Sequence, residues 1–238
     1  MSFQVFSNIG NNREKNEDSY LIKPIKGEIH ILAVADGMGG HQAGEIASRI
    51  ATESIKNYSF DFKDQKDIKG QINSAVIEAN HNIIDYSKKH EDCQDMGTTL
   101  TMCLIVDQVM YYGHVGDSRV YIFNEKLQQI TKDHSLVNDL VDNNSIKPEQ
   151  VFNHPDRNII TQALGIDRNL KVQINQISVS KKDTIMLCTD GLSDMIRFDE
   201  IEKILKENND IEVILQKLGA AALQNGGNDN ITIIMGKI

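Results

Sequence analysis

Tyr20-Leu21-Ile22-Lys23-Pro24-Ile25-Lys26-Gly27-Glu28-Ile29-His30-Ile31-Leu32-Ala33-Val34-Ala35-Asp36-Gly37 reads as two strands folded back on each other, the second running into an acid beside a glycine. Tyr20 to Ile25 and Ile29 to Ala35 are rich in β-branched and other apolar residues, and Lys26-Gly27 is a two-residue hairpin turn. On that turn Ile25 pairs with Glu28, so counting back sets Asp18 opposite Ala35 and Glu17 opposite Asp36. The hairpin thus gathers Glu17, Asp18 and Asp36 at one end. Carboxylates about 5 Å apart repel by about 3 kcal/mol per pair at an effective dielectric of about 20, so such a gathering calls for a cation. An all-oxygen donor set suits magnesium, manganese or calcium rather than zinc or copper.

Working outward, residues 2 to 9 form a strand ahead of the hairpin. A helix follows it, with Ala43, Ile46, Ala47, Ile50, Ala51 and Ile55 on one face. A second helix from Ile68 to Tyr86 turns Ile68, Ile72, Val76, Ala79 and Ile83 inward. Strands are expected over Thr98 to Val106, Val109 to Val115 and Arg119 to Phe123. The stretch from His134 to Gly165 is polar and carries Pro148 and Pro155, which reads as an irregular excursion with one or two short helices. Strands return over Val172 to Val179 and Thr184 to Thr189. Helices follow near residues 199 to 206 and 211 to 224, and a last strand covers Ile231 to Met235. Strands and helices come in blocks rather than in strict alternation. This α+β order predicts antiparallel sheets with helices on their outer faces.

The acid beside glycine recurs. Gly116-Asp117 follows the strand ending at Val115, Asp190-Gly191 follows Ile185 to Thr189, and Asp229 comes just after Gly226-Gly227. Each alone is an ordinary turn signal; the set, together with the hairpin, points to a cation site. Arg13 lies four residues before Glu17, and its planar donors match a phosphate. From local sequence alone a solvent-exposed arginine is the competing reading.

Bulk properties narrow the field. The chain has 238 residues and a formal net charge of -9, with no basic run, which argues against nucleic-acid binding. Cys93, Cys103 and Cys188 are odd in number and lack zinc spacing, and Cys103 and Cys188 sit in apolar runs. They read as buried thiols in a reducing compartment. Neither a signal peptide nor a membrane span is expected.

In order along the chain, Arg13-Glu14-Lys15-Asn16-Glu17-Asp18, Ala35-Asp36-Gly37-Met38-Gly39-Gly40, Met96-Gly97-Thr98-Thr99-Leu100, Gly113-His114-Val115-Gly116-Asp117-Ser118-Arg119, His134-Ser135-Leu136, Asn158 to Gly165, Cys188-Thr189-Asp190-Gly191-Leu192-Ser193-Asp194 and Gly227-Asn228-Asp229-Asn230-Ile231-Thr232 resemble the motifs of the metal-dependent protein phosphatases, the type 2C serine/threonine phosphatases, in their compact bacterial form. The resemblance covers essentially the whole chain. It implies a single catalytic domain over residues 1 to 238, a four-layer α-β-β-α sandwich of two antiparallel sheets flanked by helix pairs, with a flap at about 134 to 165. It implies two divalent ions, manganese or magnesium. Asp36 would bridge them and the Gly37 carbonyl would bind one; Asp190 and Asp229 would hold one ion, and Glu17 and Asp18 the other. Asp117, with Asp190 and Asp194, resembles a third, weaker site. Arg13 would grip the phosphoryl oxygens. Met38 stands where some relatives carry a histidine proposed as general acid, which leaves His41 or an ion-bound water for that role.

The function implied is hydrolysis of phosphoserine and phosphothreonine in proteins, opposing a bacterial serine/threonine kinase, by a cytoplasmic monomer without membrane or nucleic-acid partners. A regulator acting on an anti-anti-sigma-like phosphoprotein and an inactive phosphatase-like scaffold are the alternatives.

Overall fold

The computed structural model describes residues 1–25, 28–39, 43–62, 67–166 and 169–238. In chain order the strands are β1 (Ser2–Asn8), β2 (Asp18–Pro24), β3 (His30–Met38), β4 (Gly97–Thr98), β5 (Leu100–Val106), β6 (Val109–Val115), β7 (Arg119–Asn124), β8 (Lys126–Gln129), β9 (Gln173–Ser178), β10 (Thr184–Cys188) and β11 (Ile231–Lys237). The helices are α1 (Ala43–Asn57), α2 (Ile68–Ser87), α3 (Leu136–Asp142), α4 (Asp190–Ser193), α5 (Phe198–Glu207) and α6 (Ile211–Gln224). One sheet runs β1-β11-β10-β7-β8 and the other β2-β3-β5-β6-β9, with β4 paired to β3; every pairing is antiparallel.

Three apolar layers hold the sandwich together. The first packs α1 and α2 on the six-stranded sheet through Ala47, Ile55, Ile72, Ile83, Ile31 and Ala33. The second packs α5 and α6 on the other sheet through Leu205, Leu215, Leu218, Ile231 and Ile233. The third lies between the sheets, with Leu32, Val34, Cys103, Ile105, Ile185, Leu187 and Ile234. Strand alternation produces this arrangement: on β3, Ile31 and Ala33 face the helices while Leu32 and Val34 face the opposite sheet. The expected order of antiparallel sheets inside outer helices is therefore the order observed. Cys103 and Cys188 are buried, unpaired thiols, as expected, and Cys93 is buried too. Among the described residues no helix is long and apolar enough to cross a membrane.

Some boundaries differ from expectation. The strand expected over Thr98 to Val106 breaks at Thr99 into β4 and β5. There the Thr99 amide donates to the Asp36 carbonyl and the Thr99 hydroxyl accepts from the Asp36 amide, which removes Thr99 from a regular ladder. Strand β8 was not expected: Lys126–Gln129 is a short, polar edge strand with only Leu127 buried, so it lacks an apolar pattern to reveal it. The hairpin register is also corrected. Asp18 pairs with Asp36, and Ser19 with Ala35, one residue off the expected pairing. The Ile25 amide donates to the Ile29 carbonyl, so three residues rather than two connect the strands. The expected Lys26-Gly27 turn lies outside the described residues.

That slip has consequences, because a shift of one residue exchanges the two faces of a strand. It puts Asp18 on the same face as Asp36, between the sheets. At this one end every inner face turns polar: Val34 leads to Asp36, Cys103 to Thr101, Tyr112 to His114, Leu187 to Thr189, and Ile234 to Thr232. The middle layer thus ends in a cluster of acids and hydroxyls.

Candidate metal centre

Asp36 sits on the last turn-in of β3, held by its neighbours' backbone. Its amide donates to Thr99 Oγ1 (2.9 Å), and Thr98 Oγ1 donates to its carbonyl (2.9 Å). Thr99 Oγ1 in turn lies 2.8 Å from Ser118 Oγ, beside Asp117. Beyond Asp36, Gly37 makes a contact no other residue would permit. A Cβ there would lie 2.1 Å from the Gly44 carbonyl oxygen and 2.6 Å from that of Glu17. The first turn of α1, the end of β3 and Glu17 therefore close tightly, and the Gly37 amide donates to the Glu17 carbonyl at 3.2 Å.

Asp18 receives a hydrogen bond from Thr189 Oγ1 at 2.9 Å on its Oδ2, across the two sheets. Asp190 follows directly and opens α4, whose single turn brings the Asp194 amide to the Asp190 carbonyl at 2.8 Å. The expected one-turn relation of Asp190 and Asp194 is thus present. Gly116, at φ +106°, turns the chain from β6 so that buried Asp117 faces this end.

Electrostatics tie these acids together. Burial first, and then the charges of Asp190, Asp18 and Asp117, hold Asp36 well above the ordinary carboxylate range. Burial pushes Asp18 up to about 7 against the hydrogen bonds from Thr232 and Thr189. Burial and the charges of Asp194 and Asp229 push Asp190 up to about 7. Asp117 is raised well above its ordinary value by burial and then by Asp190, Asp133 and Asp194. Two oxygens in this set, Asp18 Oδ1 and Asp190 Oδ1, are buried and accept no hydrogen bond.

The outer acids are different, because arginines already pair with them. Arg13 Nη2 lies 2.7 Å from Asp229 Oδ2, and Arg157 Nε lies 3.3 Å from Asp194 Oδ2. Glu17 stands nearby, raised by burial despite Arg13. The structure thus brings Arg13, Glu17, Asp18, Asp36, Asp117, Asp190, Asp194 and Asp229 to one end of the sandwich. Met38 follows Gly37 and reaches toward Gly97; His41 lies outside the described residues.

These carboxylates fit a hard cation that keeps much of its water. No three His, Cys, Asp or Glu side chains among the described residues form a finished cage. Magnesium-type sites use only one or two carboxylates plus waters, and unpartnered buried oxygens such as Asp18 Oδ1 and Asp190 Oδ1 are what such an ion would satisfy.

Several residues of the site carried no signal in the sequence reading. Asn230 is buried; its Oδ1 accepts from the Glu17 amide at 2.7 Å, and its Nδ2 donates to the carbonyls of Ile9 (2.8 Å) and Lys15 (2.9 Å). It fastens the loop carrying Arg13 and Glu17 to the strand start carrying Asp229. Arg157 and Thr189 likewise act through partners distant in sequence. Asp133 is bonded by both Arg119 Nε and Nη2 and so fixes that guanidinium beside the cluster.

Comparison with known proteins adds the lineage. A family model described as Protein phosphatase 2C matches residues 9–224. The chain is 34% identical over 230 residues to the serine/threonine phosphatase stp of Listeria monocytogenes, covering 95% of this chain and 91% of that protein. Among solved structures it is similar to serine/threonine phosphatase Stp1 from Staphylococcus aureus, with a TM-score of 0.94, 34% identity and coverage of 99% and 94%. It is also similar to the catalytic domain of serine threonine protein phosphatase PstP in complex with 2 manganese ions, with a TM-score of 0.86, 32% identity and coverage of 99% and 97%.

Proposed function

The chain belongs to the protein phosphatase 2C family and is a protein serine/threonine phosphatase, and from that premise we propose which of its residues carry the reaction. Asp36 would serve two divalent ions, manganese or magnesium, and the Gly37 carbonyl would bind one of them. Asp190 and Asp229 would hold one ion, and Glu17 and Asp18 the other. Asp117, Asp190 and Asp194 would form a third, weaker site. The observation that carries this reading is the pair of buried, unpartnered oxygens on Asp18 and Asp190, set among acids held far above their ordinary range.

When bound, the ions supply positive charge at the phosphoryl group and a water acidic enough to yield hydroxide near neutral pH. The protein's part is placement. Thr189 and the β3 end fix the direction of Asp18 and Asp36, so the ion positions are set before substrate arrives. Arg13, half-exposed and reaching over Asp229, turns its guanidinium to the phosphoryl oxygens and balances the charge that grows on them. No side-chain nucleophile is required: burial holds Cys103 and Cys188 as thiols, pushing Cys188 up to about 12.

The substrates are phosphoproteins, and their supply requires a serine/threonine kinase. A cytoplasmic monomer is the form that suits three free thiols and an acidic surface. The test is hydrolysis of an aryl phosphate and a phosphothreonine peptide, with manganese and with chelator. Turnover in manganese that vanishes in chelator is expected; full turnover in excess chelator overturns the assignment, and no turnover in either makes the chain an inactive scaffold.

A further inference from the structure

The histidine that opens His134-Ser135-Leu136 has no part in the chemistry above, yet it sits against the turn that delivers Asp117. Between β6 and β7 the chain passes through Gly116, Asp117 and Ser118. Gly116 takes φ +106°, and each of its backbone hydrogen-bonding groups finds a partner in His134. The His134 amide donates to the Gly116 carbonyl at 2.7 Å, and the Gly116 amide donates to His134 Nδ1 at 3.2 Å. An amide can only donate, so Nδ1 presents a lone pair and the neutral ring carries its proton on Nε2. The imidazole thus takes the place that a neighbouring strand's carbonyl holds in a regular ladder.

The ring is itself fixed. It lies 4.9 Å, centre to centre, from the imidazole of fully buried His114. His114 in turn lies 2.7 Å from Thr101 Oγ1 and 3.2 Å from the Lys132 carbonyl. The His134 carbonyl accepts from the Thr161 amide at 2.8 Å, so the chain leaving for α3 and the chain returning from it meet at this residue. On the far side of Asp117, Ser118 is anchored separately. Its carbonyl accepts from Thr101 Oγ1 at 2.9 Å, and its hydroxyl lies 2.8 Å from Thr99 Oγ1. The turn cannot be stiffened from within. A Cβ on Gly116 would lie 2.5 Å from Thr99 Cγ2, and the positive φ disfavours any other residue. A glycine held open in this way needs its rigidity from outside, and His134 supplies it.

We propose that His134 is a positioning residue for Asp117, and through Asp117 for the third, weaker ion alone. The inference rests on the assignment of Asp117, Asp190 and Asp194 to that ion. Among the residues assigned to ions, Asp117 is the one carried on the turn that His134 holds. Asp36 ends β3, Asp190 opens α4 and Asp229 precedes β11, each on a segment with its own anchors. A ligand behind a loose glycine must be ordered each time an ion binds, whereas a turn already held loses little entropy at that moment.

The test compares His134→Ala, His134→Asn and His134→Gln with the wild-type protein. Asparagine puts an acceptor oxygen on the same γ carbon that bears Nδ1, and glutamine moves it one bond further. Bound manganese is counted across a titration from the paramagnetic resonance of the free ion, beside melting temperature in chelator and aryl phosphate kinetics at each manganese concentration. In His134→Ala the weakest site should lose about tenfold in affinity, the scale of one hydrogen bond. The two tighter sites should keep theirs. The aryl phosphate rate should fall at low manganese and recover at high manganese, with KM for the substrate unchanged. His134→Asn should restore the weak site, and His134→Gln should not. Weakening of all three sites together, or equal losses in the asparagine and alanine variants, would make His134 a general packing residue and overturns the proposal. So does an alanine variant whose weak site is intact. A wild-type protein that binds only two ions also overturns it, and hydrolysis of a phosphothreonine peptide by the same preparation would leave the phosphatase reading standing. Absence of hydrolysis with three ions bound strikes the phosphatase reading and not the placement of Asp117.

Discussion

The inner faces of β3 carry Leu32 and Val34 into a dry, packed layer, and two residues further the same face carries Asp36 into a cluster of acids. Both regions obey one period-2 pattern and one register. In the middle, each inward side chain finds apolar partners from the opposite sheet. At the end, the inward side chains are acids, hydroxyls and the His114 imidazole, and two acid oxygens find no partner. The site is thus the unfinished end of the core: burial is retained, but the stabilising contacts are left for something else to complete. Within it the acids divide again. Asp194 and Asp229 face arginines, whereas Asp18, Asp36 and Asp190 face chiefly one another.

The strongest way to break this contrast is to remove charge from its centre. Asp36→Asn should lower kcat/KM in manganese by at least about a thousandfold, or about 4 kcal/mol of barrier, because the bridging ligand serves both ions. The same change should raise the melting temperature of the metal-free protein, since it deletes one of the mutually repelling buried acids. Steady-state kinetics and melting in chelator check both halves. Near-normal rates would remove Asp36 from the bridge, and a lower metal-free melting point would refute the idea that the cluster opposes folding.

The middle layer was legible in the sequence because alternation of apolar residues is a local signal, and helix faces such as Ile68, Ile72, Val76 and Ile83 repeat at a fixed spacing. Asp36, Asp117 and Asp190 were legible as a set because each adjoins a glycine at a strand end, and Asp229 because it comes just after Gly226-Gly227. What the residues did not reveal is relational. The register of β2 on β3 hinges on one residue of loop length, and that residue decides whether Asp18 or Glu17 shares the inner face with Asp36. Asn230, Thr189 and Arg157 are ordinary polar residues whose meaning comes from partners 37 to 221 positions away. Strand β8 has no pattern at all, being held by pairing with β7 and by the bond from the Leu127 amide to Glu202.

Asn230 tests whether the end of the sandwich is rigid before ions arrive. Asn230→Ala deletes three buried side-chain bonds, leaving the Glu17 amide and the Ile9 and Lys15 carbonyls without partners. A loss of about 3 kcal/mol is expected, measured by denaturant unfolding with and without manganese. If instead the mutant were as stable as the wild type, the loop that carries Arg13 would be fastened by other contacts, such as those of Asn11 and Asn12.

Arg13 separates the outer acids from the inner ones. Its pair with Asp229 is half-exposed and adds little stability. Arg13→Ala should therefore leave the melting temperature nearly unchanged and lower kcat/KM by about tenfold to a hundredfold, equivalent to about 1.5 to 3 kcal/mol for a lost charge-assisted bond. Calorimetric manganese titration should show metal binding intact. An unchanged kcat/KM would make Arg13 a surface residue that merely neutralises Asp229.

The smallest effect bears most directly on why the end of the core is unfinished. Asp18 and Asp190 titrate at about 7 in the folded chain, against 3.8 for a free carboxyl. A folded-state value above the unfolded one means that the native state holds protons the unfolded chain has already released. The associated stability is complete below about pH 4 and is lost as pH rises through about 7. The metal-free protein should accordingly melt a few degrees lower at about pH 8 than at about pH 6. Asp36→Asn should flatten that slope by taking one member out of the coupled set. Manganese should reverse its sign, because an ion competes with protons for the same oxygens and binds more tightly as they leave. A chelated wild-type protein whose melting point rises steadily from about pH 6 to about pH 8 would show that these acids are already solvated. The polar end would then be an ordinary surface rather than a core left open for a cation.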